Sequence, residues 1–340
     1  MGKRSLLALY GLAHFWVDLS CAFLAFRVLG RGADFALCLL LYNFCAFALQ
    51  MPLGLLVDRL DRNGALAAAG CALTALAYLP LPSPAAAAVT AGLGNALFHL
   101  GGGLDVLNGS EKRAAALGIF VSPGALGLYI GTAWGRGMVP ALWLGPLGLL
   151  ALAGAIPWLC RRTFGSPRSG NAPVDLTPAG RYGRLVPLFL VVVLRSYMGM
   201  NQSFPWKGRG WWGLLLVLAL VLGKAAGGFL SDRLGPRSAA LWSLLPAAGL
   251  YLASFWPPAG VLAVFLFNMT MPITLWAAAK ELPGAKGFAF GLLTFALFLG
   301  WLPSYLGWPN LLAGPWTYAA VSLLSLALLW RPLGGEAVRC

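Results

Sequence analysis

The sequence predicts an all-α polytopic membrane protein of about twelve transmembrane helices in two six-helix bundles, with both termini cytoplasmic. Three observations carry that prediction. Hydrophobic residues make up 59% of the 340-residue chain and charged residues only 10%, with a mean hydropathy of +0.78, which leaves no charged surface for a water-soluble domain. The apolar residues fall in runs of mostly 18 to 24, what an α-helix needs to cross roughly 30 Å of hydrocarbon. A polar motif then recurs at about half the chain length. PLGLLVDRLDRNG at 52–64 and GGFLSDRLGPR at 227–237 both read Gly, three residues, Asp-Arg-Leu, with Asp58 and Asp232 lying 174 residues apart.

The first six runs cover about 5–29, 35–57, 65–82, 85–107, 114–134 and 139–159, so 1–159 is the N-terminal bundle. The stretch CRRTFGSPRSGNAPVDLTPAGRYGR, 160–184, is rich in Pro, Gly and Arg and reads as a cytoplasmic linker. The C-terminal bundle, 185–340, holds runs at about 185–204, 211–230, 239–256, 259–279, 288–305 and 311–330.

A net charge of +14 invites a nucleic-acid partner, and the placement of the cations argues against one. With a cytoplasmic N-terminus, 17 of the 24 basic residues fall in inside segments: Lys3, Arg4, Arg59, Arg62, Lys112, Arg113, Arg161, Arg162, Arg168, Arg181, Arg184, Arg233, Arg237, Lys280, Lys286, Arg331 and Arg339. Arg31, Arg136, Lys207 and Arg209 fall outside, with Arg27 close by. This is the positive-inside asymmetry. The N-terminal MGKRSLLALYGLAHFWVDLSC has a basic start and an apolar stretch, yet Asp18 interrupts it and the apolar pattern continues past Cys21, so it reads as a retained first helix. The six cysteines (Cys21, Cys38, Cys45, Cys71, Cys160, Cys340) show no CxxC spacing, and neither disulfides nor a metal site are expected. Trp206, Trp211, Trp212, Trp256, Trp301 and Trp308 lie near expected outer helix ends and read as an interfacial belt.

Each Gly-x3-Asp-Arg segment sits at the cytoplasmic end of the second helix of its half. Gly54 and Gly228 allow close helix approach, Asp58 and Asp232 can cap a neighbouring helix N-terminus, and Arg59 and Arg233 can pair across the bundle interface. These residues suit a gate, against the plainer reading of tight turns with positive-inside arginines. The duplicated motif resembles the signature loop of the major facilitator superfamily of transporters, and that resemblance spans nearly the whole chain. AHFWVDLSCAFL (13–24), GLGNALFHLGGG (92–103) and AALGIFVSPGALGLYIG (115–131) resemble the His-x3-Asp, Phe-His-Pro and Gly-rich fifth-helix segments of its fosmidomycin-resistance-like branch. Two features depart from the branch: Leu100-Gly101 follow the His where Pro and an acid are usual, and Gly131-Thr132 lack the proline typical of antiporters. The resemblance implies alternating access and favours efflux.

The ionisable residues within the apolar runs ask for function in their own right, because a charge at mid-bilayer costs at least about 2.5–3.5 kcal/mol unless it pairs or meets water. His14 and Asp18 share one helix face, at depths of about 14 and 20 Å from Ser5 at roughly 1.5 Å per residue. Histidine changes charge near neutral pH, so with a carboxylate partner the pair is a candidate proton site, the alternative being a static helix-bridging pair. His99 precedes Gly101, Gly102 and Gly103, which can unwind the helix and expose its carbonyls. Asp105 either stands in for the missing acid or pairs at the surface with Lys112 or Arg113. In the second half Arg195 lies near mid-membrane and Lys224 about 10 Å from the cytoplasmic end of its helix. Arg offers a planar fork for a carboxylate or phosphonate, and Tyr197, Asn201, Gln202 and Asn268 are candidate neighbours. Alternatively Arg195 or Lys224 pairs with Asp18, or Lys224 snorkels to the surface.

These residues point to a secondary active transporter of a small organic molecule, an organic anion or drug, coupled to protons and working as a monomer in the plasma membrane, a bacterial inner membrane. His14, Asp18 and His99 are its candidate proton-coupling residues, and Arg195, Lys224, Asn201 and Tyr197 its candidate substrate contacts. Proton-coupled uptake and a transport-incompetent sensor or scaffold are the alternatives. No cofactor, nucleic acid or enzymatic activity is expected, since no HExxH helix or second ligand cluster stands in the sequence.

Overall fold

The computed structural model describes residues 2–79, 81–110, 113–137, 142–166, 168–180, 182–311 and 313–334, with Arg31 described by its backbone alone. Lys112, Arg181, Arg339 and Cys340 lie outside the described residues.

Each apolar run contains α-helix among the described residues. The helices are α1 (Gly2–Arg27), α2 (Phe35–Asn43), α3 (Gln50–Leu60), α4 (Asn63–Leu76), α5 (Pro84–Ser110), α6 (Ala115–Arg136) and α7 (Leu144–Phe164). They continue with α8 (Leu185–Asn201), α9 (Trp212–Leu234), α10 (Pro236–Leu252), α11 (Pro257–Asn268), α12 (Thr270–Glu281), α13 (Lys286–Tyr305) and α14 (Pro315–Trp330). Two runs contain a break. A π-helical turn at Phe44–Ala48 bends α2 against α3 by 41°, and α11 meets α12 at Met269. Among the described residues seven helices, counting Pro257–Glu281 as one, are long and apolar enough to cross a membrane alone, and the bent α2–α3 pair makes eight. α4 and α14 are apolar but shorter. The chain is a multi-pass membrane protein.

The two motif copies end their helices by different local chemistry. Asp61, after α3, takes a left-handed conformation with φ 49°, which Asp tolerates better than most side chains, and the turn leads straight into α4. Gly235, after α9, has φ 82° and ψ 153°, open only to glycine, and Pro236 then starts α10.

By contact the chain divides into two compact units. The first comprises Met1–Glu111, Pro123–Leu176 and Gly284–Phe295, and the second Lys112–Ser122, Thr177–Pro283 and Ala296–Cys340. In the first unit Tyr10, Phe98, Leu100, Leu104, Leu149 and Ile156 form the buried interior. Small residues bring α4 and α5 together: a Cβ at Gly70 would meet the backbone of Phe98 and Gly94. In the second unit Tyr251 and Tyr318 meet edge to face at 5.6 Å, and Phe204 stacks on Trp206 at 4.8 Å. Trp206 is buried and donates its indole N–H to the Ser254 carbonyl at 2.8 Å, so it is a packing residue rather than part of a belt. Trp211, Trp256, Trp308, Trp316 and Leu311 are exposed at helix ends and turns, as are Leu147, Trp158 and Leu245 on the helix flanks, a distribution suited to lipid.

The 160–184 stretch begins as the last turn of α7 and then binds each unit by its own half. Residues 168–176 hold to the first unit, where Asn171 donates its backbone N–H to Asp61 Oδ1 at 2.7 Å and its side chain bonds Asn63 and Asn108. Residues 177–180 and 182–184 hold to the second, where Glu281 accepts from the Gly180 amide and the Arg184 guanidinium, each at 3.1 Å.

Candidate functional site

Helix periodicity puts His14 and Asp18 on one face of α1, and Asn95 and His99 on one face of α5. The two faces meet inside the first unit. His14 Nε2 lies 3.3 Å from Asp18 Oδ2 and 2.9 Å from His99 Nε2, while His99 Nε2 is 3.7 Å from Asp18 Oδ1. Asn95 donates its amide to Asp18 Oδ1 at 3.1 Å. The hydrogen positions follow from His99 Nδ1, which is 2.8 Å from the Asn95 carbonyl oxygen. A carbonyl can only accept, so Nδ1 carries the hydrogen and a neutral His99 turns the Nε2 lone pair toward His14. His14 Nε2–H therefore supplies the hydrogen that lies between His99 and Asp18.

The fifth-run glycines explain how the third wall closes. A Cβ at Gly124 would overlap the His14 ring and Asp18 Oδ2, and at Gly127 and Gly131 it would overlap the carbonyls of Phe15 and Leu19. α6 thus lies directly on α1, with Gly124 over the ionisable pair. The glycines of α5 do similar work. α5 runs unbroken through Gly101–Gly103, contrary to the expected unwinding, because Gly101 is used for close approach to Asn63 and Ala67, and Gly103 to the Phe290 ring. Asp105 is also not a surface residue: it is buried and accepts the Tyr10 hydroxyl hydrogen at 2.5 Å, with Cys160 Sγ at 3.7 Å.

Both signature aspartates cap helices. Asp58 accepts from the Gly287 and Phe288 amides at 2.8 and 3.0 Å at the start of α13, and Asp232 from those of Ala114 and Ala115 at 2.7 and 3.2 Å at the start of α6. The motif glycines face the same helix starts, since a Cβ at Gly54 would overlap Gly287 and one at Gly228 would overlap Ala114 and Ala115. The spacing of three residues thus places the bare backbone and the carboxylate one turn apart against one target. Arg59 and Arg233 are exposed at the ends of α3 and α9.

Arg195 is 8% exposed, in the second unit. Its guanidinium makes only long contacts, 3.4–3.5 Å, to the hydroxyls of Thr270 and Thr274 on α12. The ion pairs among the described residues are His14–Asp18, His99–Asp18 and Arg184–Glu281, so Asp18 pairs with the histidines and no described acid faces Arg195. Tyr197 and Asn201 have partners of their own in the second unit. Tyr197 accepts the Leu311 amide hydrogen at 3.2 Å, and Asn201 donates to Ser304 at 2.7 Å, which ties down the end of α8. Lys224 is half-buried on α9, and Asn268 donates to its own helix at Val264. The residues that sequence reasoning missed are Asn95, Gly124, Thr270 and Thr274. Asn95 carried a signal in its four-residue spacing from His99, and Gly124 in the Gly-rich segment 115–131.

No known family model matches the sequence, and no curated protein matches it. Solved structures do. The Escherichia coli fucose:proton symporter FucP is 12% identical with a TM-score of 0.65, covering 99% of this chain and 100% of that one. A bacterial homologue of the iron transporter ferroportin in an outward-facing state is 17% identical at 0.65, covering 98% of each chain. A double-Trp mutant of XylE is 12% identical at 0.68, covering 99% and 97%. The fold is that of the major facilitator superfamily transporters.

Proposed function

We propose that the chain is a proton-coupled secondary active transporter that moves a small organic anion or drug by alternating access, as a monomer in a plasma membrane of bacterial inner-membrane type. In this reading the twelve apolar runs are twelve crossings with both termini cytoplasmic, and 1–159 and 185–340 are the two bundles joined by 160–184. The observation that supports it is the His14–Asp18–His99 cluster, a titratable group of three set among apolar helices where an idle charge would be costly.

The cluster offers a coupling step. With one hydrogen between the rings, Asp18 carries a negative charge. A further proton on His99 Nε2 neutralises the site and sets two N–H groups against each other where the ring nitrogens are 2.9 Å apart. The rings must then separate, with Asp18 as the acceptor that receives the second hydrogen. Protonation is thereby tied to movement of α1 against α5. Arg195, with hydrogen-bonding capacity that Thr270 and Thr274 only partly use, is the anchor for the anionic group, and Lys224 adds charge from α9. Gly54, Asp58, Arg59, Gly228, Asp232 and Arg233 form the gate, the aspartates by holding helix starts. Efflux follows the resemblance of the first-half segments. Uptake is the second reading, favoured by the likeness to a fucose:proton symporter.

Purified protein in proteoliposomes under an imposed pH gradient tests this. A panel of organic anions should include one that accumulates against its gradient, in a direction set by the proton gradient and collapsed by a protonophore. Movement of solute that ignores the proton gradient would remove the coupling. If no solute moves while the protein alters a partner's activity, the sensor reading stands instead.

A further inference from the structure

We infer that His14, Asp18 and His99 also form a binding site for a divalent transition-metal ion of the zinc and cobalt class. The sequence holds neither CxxC nor HExxH spacing because no single helix carries the ligands. α1 supplies two and α5 the third, and their donor atoms all lie within 4.8 Å of one another.

The geometry fits a metal closely. A tetrahedral ion with ligand bonds of about 2.0–2.1 Å has donor-to-donor edges of roughly 3.3–3.4 Å. The ring nitrogens are 2.9 Å apart, His14 is 3.3 Å from Asp18 Oδ2 and His99 3.7 Å from Asp18 Oδ1, and with one atom per residue the donors lie within 4.8 Å, so a turn of the Asp18 carboxylate that presents one oxygen to both rings brings all three into coordination range. The outer contacts point the same way. The hydrogen on His99 Nδ1, held by the Asn95 carbonyl, leaves Nε2 as the ligand atom; His14 offers Nε2 to the metal in its other tautomer, with the hydrogen on Nδ1, and the Asn95 amide fixes one Asp18 oxygen. Such second contacts orient and tune metal ligands. Gly124 packs against both α1 ligands and limits their freedom to turn away.

Two imidazoles and one carboxylate form a borderline donor set that suits zinc, cobalt or ferrous iron. Magnesium and calcium prefer an all-oxygen shell. Three protein ligands leave one position open, as in exchangeable sites rather than closed structural ones. The inference rests on donor geometry alone and is independent of the transport reading. Metal binding is read on the solubilised protein without any solute movement, so either can fail without the other.

The test uses the full-length chain, tag removed and stripped with chelator, titrated in detergent with Co2+ and followed by visible absorption. One Co2+ per chain should bind with the intense bands of a four- or five-coordinate nitrogen-oxygen site. Zn2+ should displace it, and excess Mg2+ should not. His99→Gln should weaken binding more than the roughly 10- to 100-fold expected of Asn95→Ala, which removes only an outer contact. Cys340→Ser should change nothing. The proposal is overturned if the parent shows no such bands, if its spectrum carries sulfur-to-metal charge transfer, or if binding is lost in Cys340→Ser. Where His99→Gln does not fold, the parent spectrum and Asn95→Ala decide; where it folds and binds as the parent does, the site is wrong.

Discussion

Replacing Asp58 by Asn tests the capping geometry directly, because the two motif copies predict different magnitudes. Asp58 is 5% exposed and its two oxygens each accept one backbone N–H of α13, at 2.8 and 3.0 Å. Asn keeps one acceptor and turns an NH2 group toward the other N–H, so one charge-assisted bond and the favourable interaction with the helix dipole are lost. That is about 2–3 kcal/mol, or roughly 30- to 150-fold in the local opening equilibrium. Asp232 makes the equivalent pair of bonds to α6 but is exposed to solvent, where an N-cap is worth about 1 kcal/mol, roughly 5-fold. Hydrogen–deuterium exchange reads both helix starts. Asp58→Asn should speed exchange at Gly287 and Phe288 by roughly 30-fold or more, and Asp232→Asn should speed it at Ala114 and Ala115 by roughly 5-fold. Equal effects, or a larger one at α6, would refute the argument that burial sets the strength of the cap. Unchanged transport turnover in both variants would remove the gating role while leaving the structural one.

The remaining predictions concern the two ionisable centres and their packing. Asp18→Asn should abolish accumulation driven by a pH gradient while preserving solute exchange, measured in the same proteoliposomes; retained accumulation places the proton site elsewhere. Arg195→Gln should weaken an anionic solute by about 1.5–3 kcal/mol, roughly 10- to 150-fold, equally across pH because guanidinium stays charged, and unchanged affinity in a binding titration would make Arg195 a packing residue. Gly124→Ala should cost about 1–3 kcal/mol of overpacking against His14 and Asp18 and lower the thermal midpoint in detergent. Gly154→Ala on α7, where an added Cβ meets nothing within 4 Å, should instead hold or raise that midpoint.

The helices were legible because lipid imposes a coarse rule: an unbroken apolar run must satisfy its backbone internally, and the helix is the structure that does so. Each of the twelve runs contains helix among the described residues. Their interruptions also have a cause in the sequence. The π-helical turn at Phe44–Ala48 lies just before Pro52, and the boundary at Met269 just before Pro272; a proline has no N–H to give the carbonyl four residues back, here Ala48 and Asn268, so the helix breaks there. Gly101–Gly103, by contrast, misled. A glycine run weakens a helix in isolation, yet here each missing side chain admits a neighbour, and the packing gained holds α5 straight.

Within the candidate site, the sequence exposed residues that are costly in lipid and concealed those that are cheap. His14, Asp18, His99 and Arg195 stand out because a titratable or charged group in an apolar run requires an explanation. Asn95, Thr270 and Thr274 require none, since Asn and Thr can bond their own helix at i−4 or i−3, as Thr270 and Thr274 do with the carbonyls of Phe267 and Met271. Their second role appears only when another helix brings a charge to them. Gly124 is the extreme case, a residue with no functional group that decides whether His14 and Asp18 can face α5 at all. The partners of Asp58 and Asp232 were hidden for a related reason. The motif encodes a carboxylate and a bare backbone one turn apart, but what it holds is a pair of amide hydrogens, which every helix start possesses and no side chain advertises.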